Sequence, residues 1–259
     1  MIGVFDSWFG GLQTLKYLRV QFPHEDFIFL ADSKNLPYGD KTKQELKQLT
    51  KENISRLLGQ WCHHVVIACN TAVASIYDHR FALDIEKKLI AVTKCWIKET
   101  IIYNYKKIAV FATQATHDLQ VYPTIYKECH WVWELYVIPT PKLVPLIESK
   151  PLDYDQIHQL VDQYATNISK DTDCLILWCT HYPILIDVFW EKFPQLKIID
   201  PWRSSIFSLD KRLQTKAVAK IWGEWNICIY CTWDIESFVT GAKMIWKTSD
   251  LPEVNQLEM

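Results

Sequence analysis

Short apolar runs, rich in Val, Ile and Phe, alternate along the chain with longer stretches of helical character. Most of these runs end in Asp, Asn, Thr or Cys, as buried parallel strands do at their carboxyl ends. Strands that alternate with helices predict an α/β fold with mainly parallel sheets and right-handed crossovers. The runs are 2–5, 27–31, 65–68, 89–92, 108–111, 135–138, 175–178, 197–200 and 227–230.

Residues 40–60 give the clearest helix prediction. Thr42 and Glu45 have the spacing of a capping box, in which each side chain accepts a hydrogen bond from the backbone of the other residue. The leucines that follow fall broadly on one face of the helix: Leu46, Leu49, Leu57 and Leu58.

Charge and hydropathy exclude several classes of function. The 28 Lys and Arg residues nearly balance the 30 Asp and Glu residues, so electrostatic binding of nucleic acid or of an anionic membrane is not expected. No apolar run reaches the ~18 residues that span a bilayer, and the first residues do not resemble a signal peptide. The eight cysteines are expected to be reduced thiols. We therefore expect a cytoplasmic protein.

The two halves of the chain repeat one pattern. The strand at Ile2 ends in Asp-Ser and is followed about sixty residues later by a strand that ends at Cys69; the strand at Ile108 is followed at a similar distance by one that ends at Cys179. The repeat predicts two pseudo-symmetric α/β lobes with a ligand site between them, at the carboxyl ends of their strands. We expect residues 1–92 with 204–259 to form one lobe and residues 93–203 the other.

Cys69 and Cys179 are the strongest candidates for chemistry. A thiol at a strand-to-helix turn lies at the positive end of a helix dipole, which predicts a pKa lowered from ~8.5 toward neutrality. A single buried cysteine is more often inert, but two in matched contexts can face each other as a base and an acid. Such a pair inverts a stereocentre.

Polar residues flank both cysteines. Asp6 and Ser7 end the first strand, where Asp6 can hold a substrate ammonium, help a thiol to lose its proton, or simply cap a helix. His181 lies two residues after Cys179 and is a candidate base, although a structural role for it is the alternative.

Five stretches resemble the glutamate racemases, a family of cofactor-independent amino-acid racemases. They occur in both halves and in the order of the family, and ADSKNLPYGDK is the most specific of them. The stretches are IGVFDS-x-FGGL (2–12), ADSKNLPYGDK (31–41), VVIACNTA (65–72), PKLVPLIE (141–148) and LIL-x-CTHYPIL (175–185).

The resemblance implies a site between two lobes that needs no cofactor and no metal. Cys69 and Cys179 would transfer the proton, each acting on one enantiomer of glutamate, with Asp6 and His181 assisting them. It also suggests a homodimer, and a role for Glu148 near the second thiol. The residues implied to bind substrate are Asp6, Ser7, Tyr38, Gly39, Asn70, Thr71, Thr113, Thr116, Thr180 and His181.

Tryptophan replaces glycine at several positions of the family pattern. Trp8 and Trp178 adjoin the implied substrate residues, where an indole is expected to block the site or displace the backbone. The others are Trp61, Trp96, Trp202 and Trp233.

Two explanations for these tryptophans remain open at the sequence level. The protein is either a relative whose cleft has filled, or a racemase whose glycine codons have been read as tryptophan. Seven glycines are few for 259 residues, whereas the glycines and twelve tryptophans together make 7.3% of the chain, close to the usual glycine share of ~7%. We favour misread codons, which UGG codons at positions 8, 178 and 233 would contradict.

Other functions are weaker alternatives. Cys228 and Cys231 form a lone C-x-x-C, and no second pair supports a zinc or dithiol site. The alternative enzymes are racemases of aspartate or hydantoins, or a decarboxylase, for which one thiol would suffice. Outside enzymes, the alternative is a binding protein that keeps the racemase fold with a tryptophan-filled cleft.

Overall fold

The computed structural model describes residues 1–79, 81–91, 103–128, 134–149, 151–202, 227–246 and 250–257. Ten strands lie in these residues. In chain order they are β1 (Ile2–Asp6), β2 (Phe27–Ala31), β3 (His64–Ile67), β4 (Leu89–Ala91), β5 (Lys107–Ala112), β6 (Glu134–Pro139), β7 (Cys174–Trp178), β8 (Lys197–Ile199), β9 (Ile227–Cys231) and β10 (Val254–Gln256).

The strands form two parallel sheets. The first has the order β10-β9-β2-β1-β3-β4 and the second has the order β6-β5-β7-β8. Every residue of β1, β2 and β7 is buried, which explains why these strands are apolar throughout and do not alternate with polar residues. The mainly parallel α/β class predicted from the sequence is confirmed.

Strand register brings the polar turns together. In the first sheet Phe5 pairs with Ile67, and in the second Ala112 pairs with Trp178. The chain therefore leaves β1 and β3 at one level of the first sheet, and β5 and β7 at one level of the second. Side chains that follow these strands converge at the carboxyl edge of each sheet.

Helices cover the sheets. They are α1 (Leu12–Gln21), α2 (Lys43–Gly59), α3 (Asn70–Ser75), α4 (Leu83–Glu86), α5 (Gln114–Asp118), α6 (Val121–Glu128), α7 (Leu143–Glu148), α8 (Tyr154–Ala165), α9 (Ile186–Lys192) and α10 (Ile235–Ile245). Short 3-10 helices occur at Phe9–Gly11, Ser33–Asn35, Tyr38–Asp40 and Tyr182–Leu185. Among the described helices, none combines the length and the apolar character that crossing a bilayer requires.

Helix α2 shows that local sequence signals were sufficient to place it. Thr42 Oγ1 accepts a hydrogen bond from the Glu45 backbone N–H at 3.3 Å, and the Thr42 N–H donates to Glu45 Oε2 at 2.9 Å. Leu46 and Leu57 are buried on the face of α2 that packs against the first sheet. The predicted capping box and apolar face are both confirmed.

The nine predicted strands are all present, each within one residue of its predicted ends. The tenth strand, β10, escaped prediction because its three residues are polar or half-buried and it lies at the edge of the first sheet. The first sheet draws its strands from 2–91 and 227–256, and the second from 107–199. The predicted lobe boundaries at 92/93 and 203/204 lie outside the described residues and stay a prediction.

Candidate active site between the two sheets

A cavity lies where the carboxyl ends of β1 and β3 face those of β5 and β7. Strand-to-helix turns from both sheets line it, together with the loop after β2 and helix α7. The lining residues are Ser7, Leu36, Pro37, Tyr38, Gly39, Asp40, Cys69, Asn70, Thr71, Thr113, Gln114, Thr140, Pro141, Val144, Pro145, Glu148, Cys179, Thr180 and His181. The predicted convergence of both cysteines on one cleft is present in the structure.

Cys69 is connected to a buried carboxyl group. It lies at the turn between β3 and α3, and its thiol donates a hydrogen bond to the Ser7 hydroxyl (Sγ–Oγ 3.6 Å). Ser7 donates in turn to Asp6 Oδ1 at 3.2 Å, and the same oxygen accepts the Trp8 backbone N–H at 3.2 Å. Asp6 is therefore both a cap for the turn and the end of a hydrogen-bonded path from the thiol.

Cys179 has a different partner. Its Sγ lies 3.8 Å from Nδ1 of His181, and Nε2 of the same imidazole lies 3.3 Å from Glu148 Oε1. Both sides of the cavity thus show a thiol, a polar group and a carboxyl in series. The intermediate group is a hydroxyl on the Cys69 side and an imidazole on the Cys179 side.

Burial controls the pKa values of the two thiols. It raises the pKa of Cys69 to about 12, with a further contribution from the negative charge of Asp6, while the Ala72 backbone N–H and Ser7 act in the opposite direction. Burial also raises the pKa of Cys179 well above its usual range. The expectation of near-neutral thiols was wrong, because loss of solvation outweighs the dipole of the six-residue helix α3. Both thiols are protonated at pH 7.

The carboxyl groups behind the thiols titrate near neutrality. Burial raises the pKa of Asp6 to about 7, against the lowering effect of hydrogen bonds from Trp8, Thr180 and Ser7. Burial, with a smaller effect of the Asp6 charge, raises the pKa of Glu148 to about 7. A group with such a pKa can both accept and return a proton at physiological pH.

Asn70 presents a polar side chain to the cavity. It is buried, and neither its amide nitrogen nor its amide oxygen has a hydrogen-bond partner within the described residues. Buried polar groups are nearly always paired, so an unpaired one at a cavity wall indicates a ligand position. The backbone carbonyl oxygen of Asn70 accepts a hydrogen bond from the Tyr122 hydroxyl at 3.3 Å, which connects the start of α3 to a helix that covers the second sheet.

Three threonines connect the two sides of the cavity. Thr71 Oγ1 lies 2.9 Å from Thr113 Oγ1 and 3.2 Å from Thr116 Oγ1, and Thr113 donates to Thr116 at 2.9 Å. Thr113 also caps α5 by accepting the Thr116 backbone N–H. Thr71 and Thr113 line the cavity, whereas Thr116 lies behind them.

The loop from Leu36 to Asp40 is held by a buried carboxylate. The Tyr38 hydroxyl donates to Asp32 Oδ2 at 2.6 Å, and the Asn53 amide donates to the same oxygen at 3.0 Å. Burial, with the charge of Asp32, raises the pKa of Tyr38 far above its usual range, so the phenol stays a donor. These bonds place Tyr38 and Gly39 at the cavity wall.

The prediction was that the indoles of Trp8 and Trp178 either block the site or displace the backbone. Neither tryptophan lines the cavity, which contradicts the first of these outcomes; the second stays a prediction. Trp8 has extended backbone angles (φ −147°, ψ −164°) that any residue adopts, and its ring packs edge-on to Phe238 at 5.4 Å. Trp178 is fully buried and packs against Tyr122, with ring centroids 4.0 Å apart. Both side chains project into the core, because the chain directs them away from the turn residues that face the cavity.

The remaining tryptophans differ in their surroundings. Trp61 follows the end of α2 with φ 63°, a left-handed conformation that favours glycine, and its side chain is 90% exposed. Trp233 is also exposed, whereas Trp202 is buried. Trp96 lies outside the described residues.

Most residues predicted to bind substrate line the cavity, but Asp6 and Thr116 lie one layer behind it. Glu148 does line it. Eight other lining residues were not predicted from the sequence, although most belong to the quoted family stretches 31–41 and 141–148: Leu36, Pro37, Asp40, Gln114, Thr140, Pro141, Val144 and Pro145.

The C-x-x-C pair does not form a dithiol site. Cys228 and Cys231 are three residues apart on β9, so their side chains point to opposite faces of the sheet. Cys231 belongs to the core on one face, whereas Cys228 packs against the core on the other. Among the residues that the structure describes, no group of three His, Cys, Asp or Glu side chains could hold a metal ion.

Comparison with known proteins shows extensive similarity to glutamate racemases. The chain is 32% identical over 250 residues to the glutamate racemase of Thermoanaerobacter pseudethanolicus, covering 94% of this chain and 92% of that protein. It is 30% identical over 247 residues to glutamate racemase 3 of Caldanaerobacter subterraneus subsp. tengcongensis, covering 94% and 90%. No protein-family model matches the chain.

Solved structures agree with these relatives. The glutamate racemase of Francisella tularensis, solved in complex with D-glutamate, superposes with a TM-score of 0.86 at 26% identity and covers all of this chain and 96% of that one. The aspartate racemase of Picrophilus torridus superposes less well, with a TM-score of 0.58 at 16% identity over 81% of this chain and 92% of that one, and shares the fold alone.

Proposed function

The chain belongs to the glutamate racemase family, and from this membership we propose that it interconverts L- and D-glutamate through the thiols of Cys69 and Cys179. One observation carries the assignment of these residues. Two cysteines from equivalent strand ends of two sheets line one cavity, and each is in series with a carboxyl group that titrates near pH 7.

The proposed reaction moves one proton across the α-carbon. A thiolate on one side removes the α-proton, and the thiol on the other side donates its proton to the opposite face of the carbanion. The first group is then a thiol and the second a thiolate, so protons and charge balance. Exchanging the roles of Cys69 and Cys179 gives the reverse direction.

The thiol that acts as the base must first lose its proton, because both thiols are protonated at pH 7, whereas the other keeps its proton and acts as the acid. Ser7 lies between Cys69 and Asp6 and can pass the proton to that carboxylate. His181 can accept the proton of Cys179, with Glu148 stabilising the imidazolium. Because Ser7 separates Asp6 from the cavity, we assign Asp6 to this proton transfer and not to direct binding of the substrate ammonium.

The carbanion is stabilised by fixed dipoles in this proposal, with no cofactor. Asn70, with its unpaired amide, and Thr71, Thr113 and Thr180 line the cavity, where their side chains can bind the two carboxylates of glutamate. Preoriented donors stabilise developing charge strongly in a site from which water is excluded.

The test is racemisation of L-glutamate, followed by circular dichroism. We expect the wild-type chain to be active and both Cys69→Ser and Cys179→Ser to abolish turnover. Cys228→Ser, which removes a thiol outside the cavity, serves as the matched control and should remain active. Full activity in either of the first two variants would overturn the two-thiol mechanism.

The alternative functions are tested in the same assay. A binding protein with a filled cleft would bind glutamate without turnover, but neither Trp8 nor Trp178 reaches the cavity. Turnover of aspartate in place of glutamate would indicate the related racemase.

We further propose that the enzyme acts in the cytoplasm as a homodimer and supplies D-glutamate for peptidoglycan. Family membership supports this setting. Rescue of a bacterial strain that requires D-glutamate tests the cellular role, and analytical ultracentrifugation tests the dimer. A monomer at assay concentrations would overturn the proposed dimer. Failure of an active enzyme to rescue the strain would overturn the proposed cellular role.

A further inference from the structure

His181 is contacted by an aromatic ring from the opposite lobe. Phe9, in the 3-10 helix after β1, packs edge-to-face against the imidazole, with ring centroids 5.0 Å apart and an interplanar angle of 69°. Phe9 is 1% exposed and does not line the cavity. The contact therefore reaches His181 from behind the site.

The position of Phe9 is itself determined by close packing. A Cβ atom at Gly241 in α10 would overlap the Phe9 ring, so the ring occupies space that only glycine leaves free. Trp8 packs on the same ring with centroids 5.8 Å apart, and Phe238 packs on Trp8. Phe29 in β2 packs on Phe238 in turn, so Phe9 is the last ring of an aromatic row that extends from the first sheet to His181.

The orientation of His181 decides what its two nitrogens can do. Nδ1 faces the Cys179 thiol and Nε2 faces Glu148. The χ2 torsion of histidine has broad, roughly two-fold wells, so rotation of a loosely held ring would move Nδ1 away from the thiol.

The backbone at Gly10 also lies close to the His181 imidazole and limits its movement on another side. A Cβ atom at Gly10 would lie 2.9 Å from His181 Nδ1 and 2.7 Å from Thr180 Oγ1. The 3-10 helix at Phe9–Gly11 therefore meets the turn after β7 with its backbone as well as with the Phe9 ring. The imidazole is held between this segment and Glu148.

We propose that Phe9 is a positioning residue that keeps the His181 imidazole aligned with the Cys179 thiol. The inference rests on the proposed racemase function for its kinetic consequence, since His181 is assigned there as the proton acceptor of Cys179. Gly241 supports the same alignment by leaving room for the ring. Neither residue lines the cavity.

A double-mutant cycle tests the proposal. We expect Phe9→Leu to lower kcat about tenfold with KM unchanged, because a small misalignment of a proton acceptor slows transfer without weakening binding. In a His181→Asn background the same change should alter kcat less than twofold. A tenfold loss that persists without His181 overturns the proposal.

Phe29→Leu is the matched control, because it makes the same truncation in a buried ring at the far end of the aromatic row. Its effect on kcat should be equal with and without His181. In Gly241→Ala, the added Cβ atom should displace the Phe9 ring, although alanine has a higher helix propensity than glycine and should not weaken α10. Its loss of kcat should disappear in the His181→Asn background, and a persistent loss counts against the role of Gly241.

An NMR measurement tests whether Phe9 positions the His181 imidazole even if His181→Asn is too slow to assay. The 15N resonances of His181, identified by their absence in that variant, should shift in Phe9→Leu and stay unchanged in Phe29→Leu. Unchanged His181 resonances in Phe9→Leu overturn the proposal. If the wild-type chain does not racemise glutamate, the proposed function fails, while this measurement still tests the alignment.

Discussion

The Cys179 thiol lies 3.8 Å from Nδ1 of His181, whereas the thiol of Cys69 donates to a serine hydroxyl. The two halves of a pseudo-symmetric site thus use different groups to reach their carboxyls. An imidazole can hold a proton at neutral pH, but a hydroxyl can only pass it on. The asymmetry gives the two sides of the site different sensitivities to mutation.

We expect His181→Asn to lower kcat about a hundredfold, which is typical for loss of a general acid or base. The Asn amide cannot accept the proton of Cys179. Steady-state kinetics by circular dichroism measure the effect. His158→Asn on α8, a histidine that does not line the cavity, is the control and should retain wild-type rates. Equal activity of the two variants would contradict the role of His181.

The raised pKa of Asp6 predicts how stability depends on pH. Because the folded state holds a proton on Asp6 up to about pH 7, while the unfolded state releases it near 3.8, the folded state loses stability as pH rises between these values. Asp6→Asn cannot ionise and keeps an oxygen for the Ser7 and Trp8 bonds. Its free energy of unfolding should exceed that of wild type above pH 7, by up to about 4 kcal/mol.

Urea denaturation at pH 4, 5.5 and 8 measures this difference, which should grow with pH and then level off. The variant should also lose racemase activity, because it removes the proton acceptor of Cys69. A difference that shrinks as pH rises would contradict the raised pKa.

Trp61→Gly should stabilise the protein by about 1 kcal/mol. A left-handed conformation costs a residue with a Cβ about this much, and the exposed indole has little packing to lose. Trp190→Gly is the control, since Trp190 is also exposed but lies within α9, where glycine should destabilise by about 1 kcal/mol. Urea midpoints of the two variants should shift in opposite directions.

The same position bears on the misread-codon hypothesis. The residue after a helix C-cap is the place where glycine is most favoured, and Trp61 occupies it. Mass spectrometry of the protein from its native cells should therefore find glycine at position 61. Tryptophan there, with UGG in the gene, would contradict the hypothesis at this site.

Trp8 and Trp178 should affect stability more than activity. Neither lines the cavity, so the chain with tryptophan and the chain with glycine at these positions are both expected to racemise glutamate. Trp178→Gly alone would leave a void beside Tyr122 and should cost about 3–5 kcal/mol. Activity only in the glycine version would show that the indoles disturb the site.

Prediction succeeded where local signals suffice. The buried strands could be predicted because short apolar runs are typical of strands that are buried on both faces. Helix α2 could be predicted because Thr42 and Glu45 cap it within one turn. The paired cysteines could be found because each follows a strand in the same order. By contrast, β10 is too short and too polar to give any signal.

The amino-acid sequence alone determined the α/β class, the strand positions and the residues at the strand ends. Only the tertiary structure decided which of those residues face the cavity, that burial keeps both thiols protonated, and that the indoles of Trp8 and Trp178 point into the core. The physical reason is that solvation, side-chain direction and contacts such as Phe9 with His181 depend on groups distant in sequence. Local patterns carry no information about such groups.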